Sequence, residues 1–200
     1  MLCDGGGVFV LGRPSDEKLR RVLASVRATP LTYAEVGATI EAAALPTGYH
    51  HVRAGRGLGA GDGVFAAACD GIRTWQLHRR QGFRVVPTDP AIEPGTEVVI
   101  DVPLAGPVHV LAACRIVRVV DEPDRFGFAY GTLSAHPAGG EEAFIVERDP
   151  AGQVRAVIVA FSRPRHPLMR LGGPIARLRQ AAATQGYLDA LVRHVNDATT

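Results

Sequence analysis

From Tyr49 onward apolar and polar residues alternate in short runs broken by Pro, Gly and Asp clusters, and this period of two predicts strands. They fall near 49–54, 83–87, 96–102, 108–120, 126–132, 141–148 and 153–162. The period lengthens to that of a helix in two places. Phe65, Ala68, Cys69, Ile72 and Trp75 mark the buried side of a helix that follows the glycine run 55–63, with Asp62 as its cap. Ile175, Leu178, Ala182, Leu188, Leu191, Val192 and Val195 mark a long C-terminal helix at about 174–196, entered at Pro174 after Pro164 and Pro167 stop the last strand. The order strand, helix, six strands, long helix predicts an α+β fold. In it a curved, mainly antiparallel seven-stranded sheet grips the terminal helix, because consecutive hairpins need only short turns and one sheet face needs a cover.

Residues 1–48 read as an N-terminal extension packed on a domain spanning 49–200. Residues 1–14 form a glycine-rich lead-in. Ser15 is placed as an N-cap, Asp16 and Glu17 sit in the first turn, and Leu19, Val22, Leu23 and Val26 share one helical face that ends at Thr29-Pro30.

The stretch Arg125–Arg163 carries the candidate chemistry. Matching aromatic to aromatic sets Phe128 opposite Phe144 and Tyr130 opposite Glu142. A four-residue turn at 149–152 would pair Arg148 with Gln153, and hence Phe144 with Val157 and Glu142 with Val159. One face then holds Phe126, Phe128, Tyr130, Glu142, Phe144, Val146, Val157, Val159 and Phe161, with Arg163 at the rim beside the loop bearing His136. A one-residue slip in either hairpin would dismantle this cluster. A carboxylate on an apolar face must find a partner or shift its pKa. The expected ligand-binding residues are therefore Tyr130, Glu142, Arg163, His136, Phe128, Phe144 and Phe161, with Glu142 and Tyr130 as the catalytic candidates should there be a reaction. The alternative is a structural network in which the polar groups only satisfy one another, and for His136 a solvated turn residue is the favoured reading over a ligand contact. Glu141, on the other strand face, is expected to tolerate replacement.

A net charge of +2 spread along 200 residues leaves no electrostatic footprint for nucleic acid. Three cysteines without C-x-x-C spacing indicate neither a disulfide framework nor zinc, and suit a cytoplasmic location. Val8–Leu11 is too short for a signal-peptide core, and no run is long enough for a transmembrane segment. Gly55-Arg56-Gly57-Leu58-Gly59-Ala60 fits a dinucleotide fingerprint in letters, but the strand before it is too polar and the strands after it are antiparallel, so no cofactor is expected. His50 and His51 are adjacent on a strand and point to opposite faces, so no metal is expected. His78-Arg79-Arg80 reads as a solvated helix end.

Four motifs carry a resemblance: Leu31-Thr32-Tyr33-x-x-Val36-Gly37-Ala38-Thr39; His51-x-Arg53-x-Gly55-x-Gly57; the run Phe126–Leu133 continuing through His136-Pro137-x-x-Gly140-Glu141-Glu142-x-Phe144; and Ala160-Phe161-Ser162-Arg163-Pro164. Together they resemble domain-of-unknown-function family nineteen-ninety, found in bacteria and plants. Its match covers nearly the whole chain, and Phe83 departs from it, since many relatives have tryptophan there. The resemblance implies no established activity. The order of elements is also similar to the helix-grip architecture of the START and birch-pollen-allergen superfamily. The leading expectation is a protein that binds an apolar or amphipathic small molecule in a cavity between sheet and C-terminal helix. A cyclase, dehydratase or hydrolase using the same cavity, and an envelope-associated or protein-interaction module, are the alternatives. The oligomeric state is not legible.

Overall fold

The computed structural model describes residues 8–41, 44–166 and 173–200, with the side chains of the last stretch described from residue 181 onward. Cys3, Pro167 and the side chains of Ile175 and Leu178 lie outside the described residues. The elements are β1 (Phe9–Leu11), α1 (Asp16–Val26), α2 (Ala38–Glu41), β2 (His50–Ala60), α3 (Asp62–Arg73), α4 (Gln76–Arg79), β3 (Arg84–Val86), β4 (Glu97–Ala105), β5 (Val108–Glu122), β6 (Arg125–Thr132), β7 (Ala138–Arg148), β8 (Gln153–Pro164) and α5 (Gly173–Thr199). One antiparallel sheet runs β2-β8-β7-β6-β5-β4-β3, and β1 adds to β5. All seven expected strands are present. The eighth, β1, has only three residues and too short a pattern to read.

Alternation along the strands sorts the sheet into two buried faces. On the inner face Val98, Ile100, Cys114, Ile116, Phe128, Tyr130, Phe144 and Ile158 pack against α3, α4 and α5 through Ile72, Trp75, Leu188 and Leu191. On the outer face Leu19, Val22 and Val26 of α1 lie over Val99, Leu111 and Ala113, while Leu31, Ile40 and Leu45 lie over Ala129, Ala143, Val157 and Val159. Ser15 caps α1 as its position suggests, accepting the Lys18 N–H. Two glycines let the inner helices approach closely. A Cβ on Gly71 would stand 2.6 Å from Leu191, and one on Gly186 2.1 Å from Gln81. Gly186, which weakens α5 by propensity alone, sits where the end of the Gln81 side chain lies against the helix.

Two expectations need correction. The strand expected at 49–54 does not end before the glycine run: Gly55, Gly57 and Gly59 lie inside edge strand β2, with a bulge between Gly57 and Gly59. The α3 N-cap is Gly61, and Asp62 is the first helical residue rather than the cap. The second correction is the β7–β8 register. Arg148 pairs with Val154, so Phe144 faces Ile158 and Glu142 faces Ala160. Asp149 N–H donates to the Gln153 carbonyl, leaving a three-residue loop in which Gly152 has φ of +79°. That left-handed residue adds one position to the assumed turn.

Candidate functional site

The β6–β7 register matches the expectation: Phe128 lies opposite Phe144 and Tyr130 opposite Glu142. Their side chains meet on the inner face, where the Tyr130 hydroxyl donates to Glu142 Oε2 at 2.9 Å. Aromatic rings surround the pair. Tyr130 and Phe144 are 5.4 Å apart, Phe144 and Tyr187 5.1 Å, and His78 lies 4.8 Å from Tyr187 and 5.2 Å from Phe144. His78 Nε2 is 3.5 Å from the Tyr130 oxygen, at the limit of a hydrogen bond, and His78 Nδ1 is buried without a partner among the described residues. Trp75, Phe128 and Phe83 continue the wall.

Burial governs the electrostatics. Desolvation raises the Glu142 carboxyl to about 7, partly offset by the Tyr130 hydrogen bond. Desolvation lowers His78 to about 3, with Arg79 adding to the effect, so this imidazole is neutral at ordinary pH. The Tyr130 and Tyr187 phenols and the Cys114 thiol are pushed up by burial and then by the Glu142 charge. Glu142 itself remains partly exposed. Its Oε2 is bonded to Tyr130, whereas Oε1 has no hydrogen-bond partner among the described residues.

The register shift removes three residues from this group. Phe161, Val157 and Val159 lie on the outer face, where Phe161 packs edge-on against Tyr33 and Tyr49 at 5.5 and 5.0 Å. Arg163 is exposed and stacks over Tyr49 at 4.9 Å, so it does not stand at the rim beside Glu142. His136 is also apart. Its Nδ1 lies 3.0 Å from both the nitrogen and oxygen of Ala138, and burial lowers its pKa to about 4. The inner group therefore comprises Tyr130, Glu142, Phe128 and Phe144 from the expected set, joined by His78 and Tyr187. Both additions had a signal in the sequence. His78 is three residues after Trp75 on a helical stretch, and Tyr187 is four before Leu191 on the buried stripe of α5.

Glu141, expected to tolerate replacement, is held by buried hydrogen bonds. It is 3% exposed on the outer face and its carboxylate accepts from the Tyr33 hydroxyl at 2.7 Å, the Gly37 N–H at 2.7 Å, and both the N–H (2.9 Å) and hydroxyl of Thr39. This clasp fixes residues 33–39 to β7. It also explains Gly131, beside which Tyr33 lies: a Cβ there would fall 2.1 Å from the Tyr33 oxygen. Gly131→Ala is expected to cost about 1–3 kcal/mol by displacing that ring, measured by urea unfolding. An unchanged midpoint would show that Tyr33 relocates freely.

A family profile described as a domain of unknown function (DUF1990) matches residues 32–190. The chain belongs to this family. A Deinococcus radiodurans protein of the UPF0548 group is 32% identical over 198 residues, covering 93% of this chain and 98% of the relative. Among solved structures, a hypothetical Helicobacter pylori protein has a TM-score of 0.54 at 16% identity, covering 73% of this chain and 88% of that one. A Thalictrum norcoclaurine synthase mutant, solved with a transition-state analogue, has a TM-score of 0.50 at 10% identity, covering 78% and 100%. The family member described here thus has the helix-grip fold. Its matched region begins at Thr32, so the Tyr33–Thr39 strap lies inside it. No described helix is long and apolar enough to cross a membrane, and no group of three potential metal-ligating side chains occurs among the described residues.

Proposed function

We propose that this protein binds a small apolar or amphipathic molecule between the sheet and α5, with Glu142 and Tyr130 holding its polar end. The observation that carries this reading is Glu142, a partly exposed carboxyl set among aromatic rings, one of whose oxygens has no hydrogen-bond partner among the described residues. Few polar groups converging on an apolar wall is the usual design of a small-molecule site. Aromatic side chains fill the described space between sheet and helix, so entry requires the rings near Tyr187 to move apart. Two surface depressions of about 480 and 460 Å³ lie elsewhere, around Arg148 and Asp149 at the hairpin ends. They are lined largely by charged residues and glycine, which suits an apolar ligand poorly.

Trp75, the single tryptophan, reports on the site because it stacks 5.0 Å from Phe128 and 5.1 Å from His78. Native mass spectrometry of the purified chain is expected to show a co-purifying molecule, and its removal and return to change Trp75 emission saturably. Emission that stays constant with every extracted fraction would remove this reading. One observation favours an enzyme in the same place: a carboxyl with a pKa of about 7 suits general acid–base work at neutral pH, with Tyr130 as donor. Conversion of the bound molecule, lost in Glu142→Gln, separates catalysis from binding alone.

A further inference from the structure

We propose that the polar end recognised at Glu142 is an organic ammonium group, so that the ligand is an amine with an apolar or aromatic body. The inference rests on the binding reading above and adds the charge of the ligand to it.

Three features support it. First, Glu142 has no cationic partner among the described residues: Arg163, the one arginine expected near it, stands over Tyr49 on the far side of the sheet. Among the described residues, Tyr130 of β6 bonds it, Tyr187 of α5 and Cys114 of β5 feel its charge, His78 of α4 lies 3.5 Å from the Tyr130 oxygen, and its β8 neighbour is Ala160. None of these supplies positive charge, since burial keeps His78 neutral. Second, the carboxylate oxygen that has no hydrogen-bond partner among the described residues offers a place for an N–H donor, while Tyr130 secures the other oxygen. Third, the surrounding groups are predominantly aromatic rings. Phe144 and His78 are 5.2 Å apart, and each lies within 4.8 to 6.0 Å of both Tyr130 and Tyr187. Ring faces attract a cation through their quadrupole, and more strongly where water is excluded.

A carboxylate set among aromatic rings, with no cationic partner among the described residues, is completed by a cation. An anion would meet an acid that ionises near neutrality and would find no positive partner among the described residues. An ammonium ion would instead favour the ionised form of Glu142, so its binding should release a proton near and below pH 7.

The test compares 2-phenylethylamine, the neutral isostere 2-phenylethanol and the anion 3-phenylpropanoate, by calorimetry and Trp75 emission on the full chain. At pH 8 the amine is expected to bind at least about tenfold tighter than the alcohol, as a charge-assisted bond would give. Its affinity should fall as pH drops from 8 to 6, and its heat at pH 6.5 should vary with the ionisation enthalpy of the buffer. Glu142→Gln should bring amine and alcohol to similar affinity, with thermal melting confirming that the variant is folded. Equal or tighter binding of the alcohol or the anion overturns the ammonium proposal, as does an amine preference that survives Glu142→Gln. No amine binding at millimolar concentration overturns it too. Binding of the alcohol or anion that still depends on Glu142 would leave the small-molecule reading standing; silence from all three, together with no co-purifying molecule, would end both.

Discussion

Glu141→Gln is expected to lower the melting temperature by roughly 10 °C, corresponding to about 3 kcal/mol in a chain of this size. Four donors converge on the Glu141 carboxylate from Tyr33, Gly37 and Thr39, and the residue is 3% exposed. An amide can accept on only one side. If its oxygen keeps the two Thr39 bonds, its NH2 group points at the Tyr33 hydroxyl and the Gly37 N–H. The hydroxyl can turn and accept, but a backbone N–H cannot, so one buried donor is left facing another. Tyr33→Phe removes a single bond and should cost about 1 kcal/mol. Differential scanning calorimetry of the two variants measures both effects. A drop of under about 2 °C for Glu141→Gln would show that the strap is held by Leu31 and Ile40 packing rather than by the carboxylate.

This predicted outcome is the opposite of the expectation formed from the sequence, in which Glu141 was the tolerant neighbour of Glu142. Adjacent strand residues point to opposite faces, and the sequence correctly separated the two glutamates. It could not weigh them, because the clasp comes from a segment about a hundred residues earlier whose Tyr-x-x-x-Gly-x-Thr spacing has no period. The same limit explains the β7–β8 register. Aromatic matching sets Phe128 against Phe144 across β6 and β7, but the next hairpin has no such marker, and whether Gly152 closes a turn or adds a position to it is a matter of one φ angle. That one-residue difference moved Phe161 and Arg163 to the outer face. Architecture was more legible than site, since seven strand periods and one long helix tolerate errors of a residue. His78 was hidden by its neighbours: Arg79 and Arg80 suggest a solvated end, and they do reach outward to Asp89 and Asp197, while the imidazole turns inward.

Glu142→Gln is expected to raise stability at pH 8 by about 2 kcal/mol and to leave it unchanged near pH 4. The folded state holds the Glu142 proton up to about 7, against 4.5 for the free side chain. Between these values the native protein carries a proton that the unfolded chain has lost, so the slope of unfolding free energy against pH is negative for this group. Its contribution is complete below pH 4.5 and is lost as pH rises through about 7. The full interval is worth about 3 kcal/mol, and partial exposure of the carboxylate reduces it to about 2. Glutamine copies the neutral acid, keeping an oxygen for the Tyr130 hydroxyl, and has no charge to bury at high pH. His78 and His136 act in the opposite direction: with folded values near 3 and 4, they favour the native state more as pH rises toward 6.5. They can mask the Glu142 slope in the wild-type curve, but they are common to both proteins and cancel in the difference. Urea unfolding of the two proteins at intervals from pH 4 to 8 should therefore give a difference that grows between pH 4.5 and 7 and then levels. A flat difference would mean that Glu142 titrates as an ordinary solvated acid, and both the binding and the ammonium readings would lose their central residue.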